Sequence, residues 1–320
     1  MISKLHPATL PYLQSGHPVL VGVSGGRDSI ALLTLLSELQ GCHPIACHVH
    51  HGIRKCTADD DCRYTEQYAR SLGIPYLVEY VDVPRMAERK KMSLETTARL
   101  LRQEAFLRWK EQYPNCVVAL AHHRDDQAET ILFRLCRGTG RLGGMRAVST
   151  WPNHTTVLRP LLGISREEIT QWLIDRGISW QDDESNEDTS IPRNAFRHSI
   201  FPQLNHILGR DVRPIICRAA RLDDENEKAL SQAISTLHVI DPQGRLFLPK
   251  VLPLPLELRK AILLDYLKKQ GVSDLTEEHI LRVNTILDPS GSSKVSLPGN
   301  KLACRKEARL FVLDLSNPAQ

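Results

Sequence analysis

The sequence predicts an α/β fold, in which a doubly wound, mostly parallel sheet is followed by a second, mainly helical domain. Short β-branched runs alternate with longer stretches of helical period through the first 140 residues. Such alternation is typical of βαβ units, which build a parallel sheet with helices on both faces. After about residue 210 the helical stretches dominate and are separated by proline-rich breaks.

The parallel sheet is predicted from four strand-like runs, each followed by a helix. The strands cover 17–24, 43–51, 75–83 and 115–123, and the helices cover 28–40, 59–72, 93–113 and 125–137. A fifth run at 156–162 leads to a helix from about 166 to 176. Ligands bind at the carboxyl ends of strands in such sheets, and the polar segments SGGRDS, HVHHGIR and LAHHRDD all follow strands. These three segments are therefore expected to surround one site.

Residues 211–320 are predicted to form the second domain, and residues 1–210 the first. Helical stretches at 211–238, 255–270 and 276–287 precede a glycine-marked tail that predicts a small C-terminal hairpin. The second domain is nearly balanced in charge, with 16 Lys/Arg against 14 Asp/Glu.

Composition indicates an ordinary globular protein of the cytoplasm. Of the 320 residues, 42% are hydrophobic, and no apolar run is long enough to span a membrane. The N-terminus is too polar for a signal peptide, and the eight cysteines include no C-x-x-C pair, which favours free thiols in a reducing compartment. The oligomeric state is left open, with a homo-oligomer as one expectation.

The SGGRDS segment carries more functional groups than a turn requires. Gly25 and Gly26 allow the backbone N–H groups to face a ligand at the start of a helix. Ser24 and Ser29 can donate hydroxyls to phosphate oxygens, and Asp28 is expected to act through Mg²⁺. The structural alternative is a strand–helix turn in which Asp28 or Ser29 lies near the N-cap of the helix. The spacing and the missing lysine exclude a Walker loop.

Beyond these groups, SGGRDS resembles the SGGxDS pyrophosphate loop of the N-type ATP pyrophosphatases, which share an adenine nucleotide alpha hydrolase-like fold. HVHHGIR, AHHRDDQAETILFRLCRGTG and WQDDESNEDTSIPRNAFRHSIFPQL resemble segments of the tRNA(Ile)-lysidine synthetase family within that superfamily. The resemblance is close through about residue 210. His50 replaces the usual Asn or Asp of the family, and Arg27 fills the variable position of the loop, where it would join the ATP-binding residues.

This resemblance implies an ATP-dependent ligase. ATP with Mg²⁺ would adenylate the C2 oxygen of the cytidine that opens the CAU anticodon of tRNA(Ile). L-lysine would then attack C2, so that AMP leaves after pyrophosphate and lysidine redirects the codon from AUG to AUA. The absence of paired cysteines argues against a tRNA thiolation enzyme, and a nucleotide sensor without turnover is the remaining alternative.

Acidic residues after the fourth strand are assigned to lysine. Asp126 and Glu129 share a helix face, and paired carboxylates suit an ammonium group, although capping is an alternative. Arg193 is the candidate for the lysine carboxylate. Either a carboxylate or one of His122 and His123 would take the proton from the attacking amine. The predicted catalytic residues are Asp28, Asp126, Glu129 and Arg193.

A glycine- and arginine-rich stretch follows the same helix. Between residues 130 and 165 there is no acidic residue, which suits contact with an anticodon loop, although a solvated basic face is the alternative. The predicted tRNA-binding residues are Arg134, Arg137, Arg141 and Arg146. The balanced second domain is expected to recognise the tRNA body by shape.

Overall fold

The computed structural model describes residues 1–52, 55–137, 142–181 and 192–316, with the side chains of 55–58 and 192–193 left out. The chain divides into two compact units, Met1–Asp223 and Asp224–Gln320. The division falls inside a long helix rather than at residue 210, so the functional boundary at residue 210 stays a prediction. No helix in the described ranges is long and apolar enough to cross a membrane.

The first unit is built on a six-stranded sheet in the order β3-β2-β1-β4-β6-β5. Its strands are β1 Pro18–Gly22, β2 His43–His50, β3 Tyr76–Tyr80, β4 Val117–Ala119, β5 Val148–Trp151 and β6 Thr155–Leu158. All neighbouring pairs are parallel except β5 with β6. The strand order reverses between β1 and β4, which is the topological switch point where ligands bind in such folds. The predicted doubly wound, mostly parallel sheet is therefore confirmed.

Helices cover both faces of this sheet. They are α1 Leu10–Leu13, α2 Arg27–Ser37, α3 Lys55–Ser71, α4 Val83–Lys90, α5 Leu94–Gln112, α6 Arg124–Cys136, α7 Arg166–Ile174, α8 Pro192–Ala195 and α9 Phe201–Leu208. Successive residues of β1 point to opposite faces. Val19 and Val21 join a core with α2 and α7, whereas Leu20 packs in a second core with Phe106 and Trp109 of α5.

Between α8 and α9, one π-helical turn covers Phe196–Ile200. A small core links this segment to the site, because Ala128 of α6 packs with Phe201 and Val212. Helix α10 then spans Arg213–Thr236.

The second unit combines helices with a four-stranded antiparallel sheet in the order β7-β10-β9-β8. Its elements after α10 are β7 Leu246–Phe247, α11 Leu248–Val251, α12 Leu256–Lys269, α13 Glu277–Thr285, β8 Lys294–Leu297, β9 Lys301–Lys306 and β10 Arg309–Asp314. The expected hairpin is β9–β10, and β7 and β8 extend it on either side. Helices and sheet share one core, in which Tyr266, Ile280 and Leu310 are buried.

Candidate active site

The SGGRDS segment forms a tight loop between β1 and α2. Gly25 has a φ of +86°, a left-handed conformation that favours glycine. The Ser29 hydroxyl donates to the Gly26 carbonyl at 2.8 Å and accepts from the Ser24 N–H at 3.1 Å, so it holds the loop against the helix. Gly26 is the N-cap of α2 and makes no side-chain capping bond. Asp28 and Ser29 are the second and third residues of α2, so both lie near the N-cap as the structural alternative expected, although the N-cap itself is a glycine.

The absence of a side-chain cap has a chemical consequence. The first N–H groups of any helix lack partners within that helix. At the start of α2 the Ser29 N–H donates to the Gly26 carbonyl at 3.1 Å, whereas the N–H groups of Arg27 and Asp28 have no acceptor among the described residues and stay available to an anion, as in other phosphate-binding helix termini. The loop thus has the backbone arrangement that a phosphate site requires.

Asp28 projects from this loop toward the end of β4. Its Oδ2 lies 3.5 Å from His123 Nε2, and its Oδ1 lies 3.5 Å from Arg27 Nε. Burial opposes ionisation, but the contacts with His123 and Arg27 lower the pKa of Asp28 below its usual value. Asp28 is therefore an ionised oxygen donor at neutral pH.

His123 connects the two strand ends. Its Nδ1 accepts the backbone N–H groups of Asp125 at 3.2 Å and Asp126 at 3.4 Å, so it is the N-cap of α6. These bonds assign the proton to Nε2, which lies 3.5 Å from both Asp28 Oδ2 and Asp126 Oδ2. Burial alone would lower the pKa of His123, but the carboxylates of Asp126 and Asp28 outweigh it and raise that pKa. Protonation of Nδ1 would break the cap.

The two acids assigned to lysine hold an arginine. Arg197, in the π-helical turn, donates from Nε to Glu129 Oε1 at 2.9 Å and from Nη2 to Asp126 Oδ1 at 3.3 Å. Glu129 is 3% exposed, and burial raises its pKa despite the arginine. The pair therefore has the geometry of a cation site, and the guanidinium of Arg197 occupies it.

Arg197 is a site residue that the sequence reading missed. It follows Arg193 by four residues, and residues at that spacing share a helix face. That periodicity in PRNAFR was the available signal. The backbone of Arg193 lies in α8, but its side chain lies outside the described set.

Asp125 belongs to a separate network that ties three helices together. Its Oδ2 accepts the Arg166 backbone N–H and the Arg213 guanidinium, both at 3.2 Å. Arg213 also pairs with Asp211 at 2.8 Å and with Glu167 at 3.2 Å. Asp126 is also held by contacts within the chain, because its Oδ2 accepts the His123 backbone N–H at 3.0 Å in a capping box and its Oδ1 accepts from Arg197.

Of the arginines predicted to contact tRNA, Arg134 and Arg137 lie at the end of α6, whereas Arg146 follows Met145, whose N–H donates to Gln127 near the start of that helix. Arg134 donates to the carbonyls of Gly143 and Gly144 at 2.8 and 2.9 Å. Arg137 stacks on the Phe133 ring, with 5.6 Å from its guanidinium carbon to the ring centroid. Both are exposed, as is Arg146. Arg141 lies outside the described residues.

The described side chains suit magnesium only when the substrate supplies some of its ligands. The described residues contain no group of three or more His, Cys, Asp or Glu that could hold a metal ion by itself. Asp28 offers an ionised carboxylate beside the loop. Since magnesium in nucleotide enzymes is held by one or two carboxylates together with substrate phosphates, this donor set suits an ion that arrives with phosphate.

Comparison with known families identifies the class. The pattern of the PP-loop domain family matches residues 3–204. The U34-tRNA thiolase NcsA from Methanococcus maripaludis is a structural neighbour, with a TM-score of 0.55 at 18% identity, covering 69% of this chain and 76% of that one. This likeness concerns the fold. The chain is thus a PP-loop protein.

Its relatives define the family within that class. The tRNA(Ile)-lysidine synthase of Chlorobaculum tepidum is 33% identical over 267 residues, which cover 81% of this chain and 80% of that protein. The enzyme of the same name from Porphyromonas gingivalis is 34% identical over 304 residues, 93% of this chain. The chain belongs to the tRNA(Ile)-lysidine synthase family. It spans 64% of the Porphyromonas gingivalis protein and 57% of the Thermus thermophilus one.

Proposed function

We propose that this protein joins L-lysine to the cytidine at the first anticodon position of a tRNA(Ile) bearing CAU, at the expense of ATP. Family membership supports the reaction, and one observation in the site supports it most strongly. Asp28 of the phosphate loop and Asp126 of the cation site both lie 3.5 Å from His123 Nε2. A site for phosphate and a site for an ammonium group are thereby adjacent, as a lysine ligation through a nucleotide requires.

The reaction has two steps. The C2 oxygen of cytidine attacks the α-phosphorus of ATP, the bond between the α and β phosphates breaks, and pyrophosphate leaves. The side-chain amine of lysine then forms a bond to C2, the C2–O bond breaks, and AMP leaves with that oxygen. The amine loses a proton, which a base in the site accepts.

In the first step the loop would bind phosphate through the helix N-terminus and the Ser24 hydroxyl, with Gly25 and Gly26 allowing close approach. Asp28 would hold magnesium, and a bound magnesium ion supplies positive charge that stabilises the leaving pyrophosphate. Asp28 is ionised without the metal, because His123 and Arg27 lower its pKa. Asp28 therefore needs no change of protonation before it binds magnesium at neutral pH.

In the second step Asp126 and Glu129 would bind an ammonium group of lysine. Arg197 fills this position, so lysine would displace its guanidinium from the acids. Arg193 stays our proposal for the lysine carboxylate. The lysine amine has an ordinary pKa near 10.4.

For the proton, the geometry favours a carboxylate over His123, because the acceptor nitrogen of that ring is engaged in capping α6. Glu129 is the stronger candidate of the two acids. Burial raises its pKa, which makes its carboxylate the better proton acceptor.

The tRNA would approach along the exposed arginines at the end of α6. Arg134, Arg137, Arg141 and Arg146 are proposed to contact phosphates of the anticodon arm. We assign residues 1–210 to catalysis and residues 211–320 to recognition of the tRNA body by shape. Arg213 pairs with Asp125 beside the site, so the start of α10 would also support the catalytic part.

The proposal is tested by pyrophosphate release under multiple turnover, with tRNA(Ile) carrying CAU and each of the twenty amino acids in turn. We expect sustained release with lysine alone. A matched tRNA carrying a GAU anticodon serves as the control and should not support release. Nucleotide binding without turnover under all conditions would contradict the proposal and favour a sensor.

A further inference from the structure

Arg27, at the variable position of SGGRDS, lies between two partners. Its Nε is 3.5 Å from Asp28 Oδ1, and its guanidinium carbon is 5.9 Å from the centre of the Trp180 ring. The side chain of Arg27 is 14% exposed, so it lies against protein groups rather than in water. The position of this guanidinium is therefore decided by the groups around it.

The contact between Arg27 and Asp28 is a loose one. The two are the first residues of α2, and neighbouring residues of a helix do not face each other. A charge-assisted N–H···O bond is usually about 2.7–2.9 Å long, so the contact at 3.5 Å engages Asp28 Oδ1 only weakly. The guanidinium of Arg166 is close enough to repel Arg27 and attract Asp28, which makes it a second cation near this carboxylate.

The ring of Trp180 is the other partner of Arg27. A guanidinium within about 6 Å of an indole centre is attracted to the face of the ring, and tryptophan is the aromatic residue for which this attraction is strongest. Trp180 is half-buried and packs against the core that β1 shares with α2 and α7. The ring therefore presents a fixed surface to Arg27.

The backbone on both sides of Trp180 is joined to its surroundings. The N–H of Gln181 donates to the carbonyl of Gly25 in the phosphate loop at 3.0 Å. The hydroxyl of Tyr64, on α3, donates to the carbonyl of Ser179. These two bonds hold the ring beside the loop, so its position relative to Arg27 does not depend on the ring alone.

We propose that Trp180 is a positioning residue, which holds the guanidinium of Arg27 so that the carboxylate of Asp28 stays open to magnesium that arrives with ATP. The inference rests on the proposed function, in which Asp28 holds that magnesium. Without the ring, the mostly buried guanidinium would close onto Asp28, the anion that it already contacts. A tighter ion pair would then compete with the metal for the same carboxylate oxygen.

The test measures how much magnesium strengthens the binding of ATP to the full chain, as the ratio of the Kd values without and with magnesium in titration calorimetry. Trp180→Leu should lower this ratio roughly three- to thirtyfold, the range expected for one lost cation–π contact. Trp180→Phe keeps an aromatic face and should retain most of the ratio.

Trp172→Leu is the matched control. Trp172, on α7, is half-buried against the same core, and the guanidinium carbon of Arg176 lies 4.5 Å from the centre of its ring. This substitution removes the same kind of contact away from the phosphate loop, so it should leave the magnesium ratio unchanged. Thermal unfolding without ATP checks that every variant is folded.

A second substitution separates positioning from support of the fold. Arg27→Gln removes the competing cation, so the double variant Trp180→Leu with Arg27→Gln should recover the magnesium ratio of the unchanged chain to within about twofold. A loss of packing at Trp180 would not be repaired by a change at Arg27. An unchanged ratio in Trp180→Leu, an equal loss in Trp172→Leu, or no recovery in the double variant would overturn the proposal.

The same variants distinguish this inference from the function on which it rests. A magnesium ratio that depends on Trp180 and recovers with Arg27→Gln, in a chain that transfers no lysine, would remove the proposed function and leave the positioning role standing. Lysine transfer by the unchanged chain, with an unaltered magnesium ratio in Trp180→Leu, would overturn the positioning role alone.

Discussion

The two polar segments that follow β1 and β4 at the carboxyl edge of the sheet differ in how closely their acidic side chains are paired with cations. After β1, Asp28 is ionised and partly exposed, and its contacts with His123 and Arg27 are long, at 3.5 Å. After β4, Glu129 is buried and holds Arg197 at 2.9 Å. The first segment is open to a charged group from outside, whereas the second already binds a cation of its own chain. On the proposed function, lysine would compete with Arg197 for its site, whereas phosphate would enter a loop whose helix lacks a side-chain cap.

Replacing the acid of the open loop should have the largest effect. Asp28→Asn keeps the shape of the side chain but removes the charge that would hold magnesium. We expect pyrophosphate release to fall by on the order of 10²–10³-fold, as for other preorganised electrostatic groups, while thermal unfolding changes little. Near-normal release would remove the metal role and reduce the contrast between the segments.

Neutralising Glu129, which holds Arg197, should weaken the binding of lysine but not that of ATP. Glu129→Gln removes one charge-assisted contact, so the lysine KM should rise roughly ten- to hundredfold with the ATP KM nearly unchanged. Glu111→Gln, an exposed acid of α5, is the matched control. Equal losses for lysine and ATP would show that the acids do not bind the amino acid.

Replacing Arg197 should lower the free energy of unfolding, because the buried carboxylate of Glu129 then lacks its cation. Because burial raises the pKa of Glu129, its contribution to stability is present below the unfolded pKa and lost as pH rises through the folded pKa. Arg197→Gln should raise that pKa further. Its deficit in the free energy of unfolding should therefore grow as pH rises above the ordinary pKa range of a glutamate, reaching about 2 kcal/mol. A pH-independent deficit in urea unfolding would contradict this account.

Two substitutions should separate the two roles of His123, which caps α6 and contacts Asp28. His123→Asn keeps an oxygen that can cap α6, whereas His123→Ala removes both the cap and the contact with Asp28. We expect Asn to stay within about 1 kcal/mol of the original stability while pyrophosphate release falls about tenfold, and Ala to lose both. Full activity in the Asn variant would mean that the two segments work independently of this ring.

The arginines proposed to contact tRNA should matter least individually. Arg146→Gln should weaken tRNA binding by a few-fold and lower the salt slope of log K by about 1. Arg70→Gln, which replaces an exposed arginine of α3, provides the control. A salt slope unchanged by Arg146→Gln would indicate that this arginine makes no phosphate contact.

The contrast between the segments also explains what the sequence could predict. Contacts within the phosphate loop join residues at most five apart, so Ser24, Ser29 and the glycines could be read as one unit. The positions of the main helices followed from periodicity, and those that the sequence predicts begin and end within a few residues of the observed ones, whereas α4 and α9 were missed and the order of the strands was not predicted. The β5 strand was missed, because the Val148–Trp151 run is short and half-buried.

The cation site was only half predictable. Asp126 and Glu129 share a helix face by local spacing alone, but Arg197 meets Glu129 across 68 residues and Arg213 meets Asp125 across 88. Which arginine folds back onto which acid depends on tertiary packing of α8, α9 and α10 against α6. Local propensity carries no information about that choice.

The most direct test of the account follows the lysine nitrogen into the tRNA. The chain would be incubated with ATP, magnesium, lysine labelled with ¹⁵N at its side-chain amine, and tRNA(Ile) carrying either CAU or GAU, and the digested nucleosides analysed by mass spectrometry. The account predicts labelled lysine joined to the anticodon cytidine of the CAU tRNA and no labelled product from the GAU tRNA. Consumption of ATP without label in the CAU tRNA, or label in both tRNAs, would contradict it.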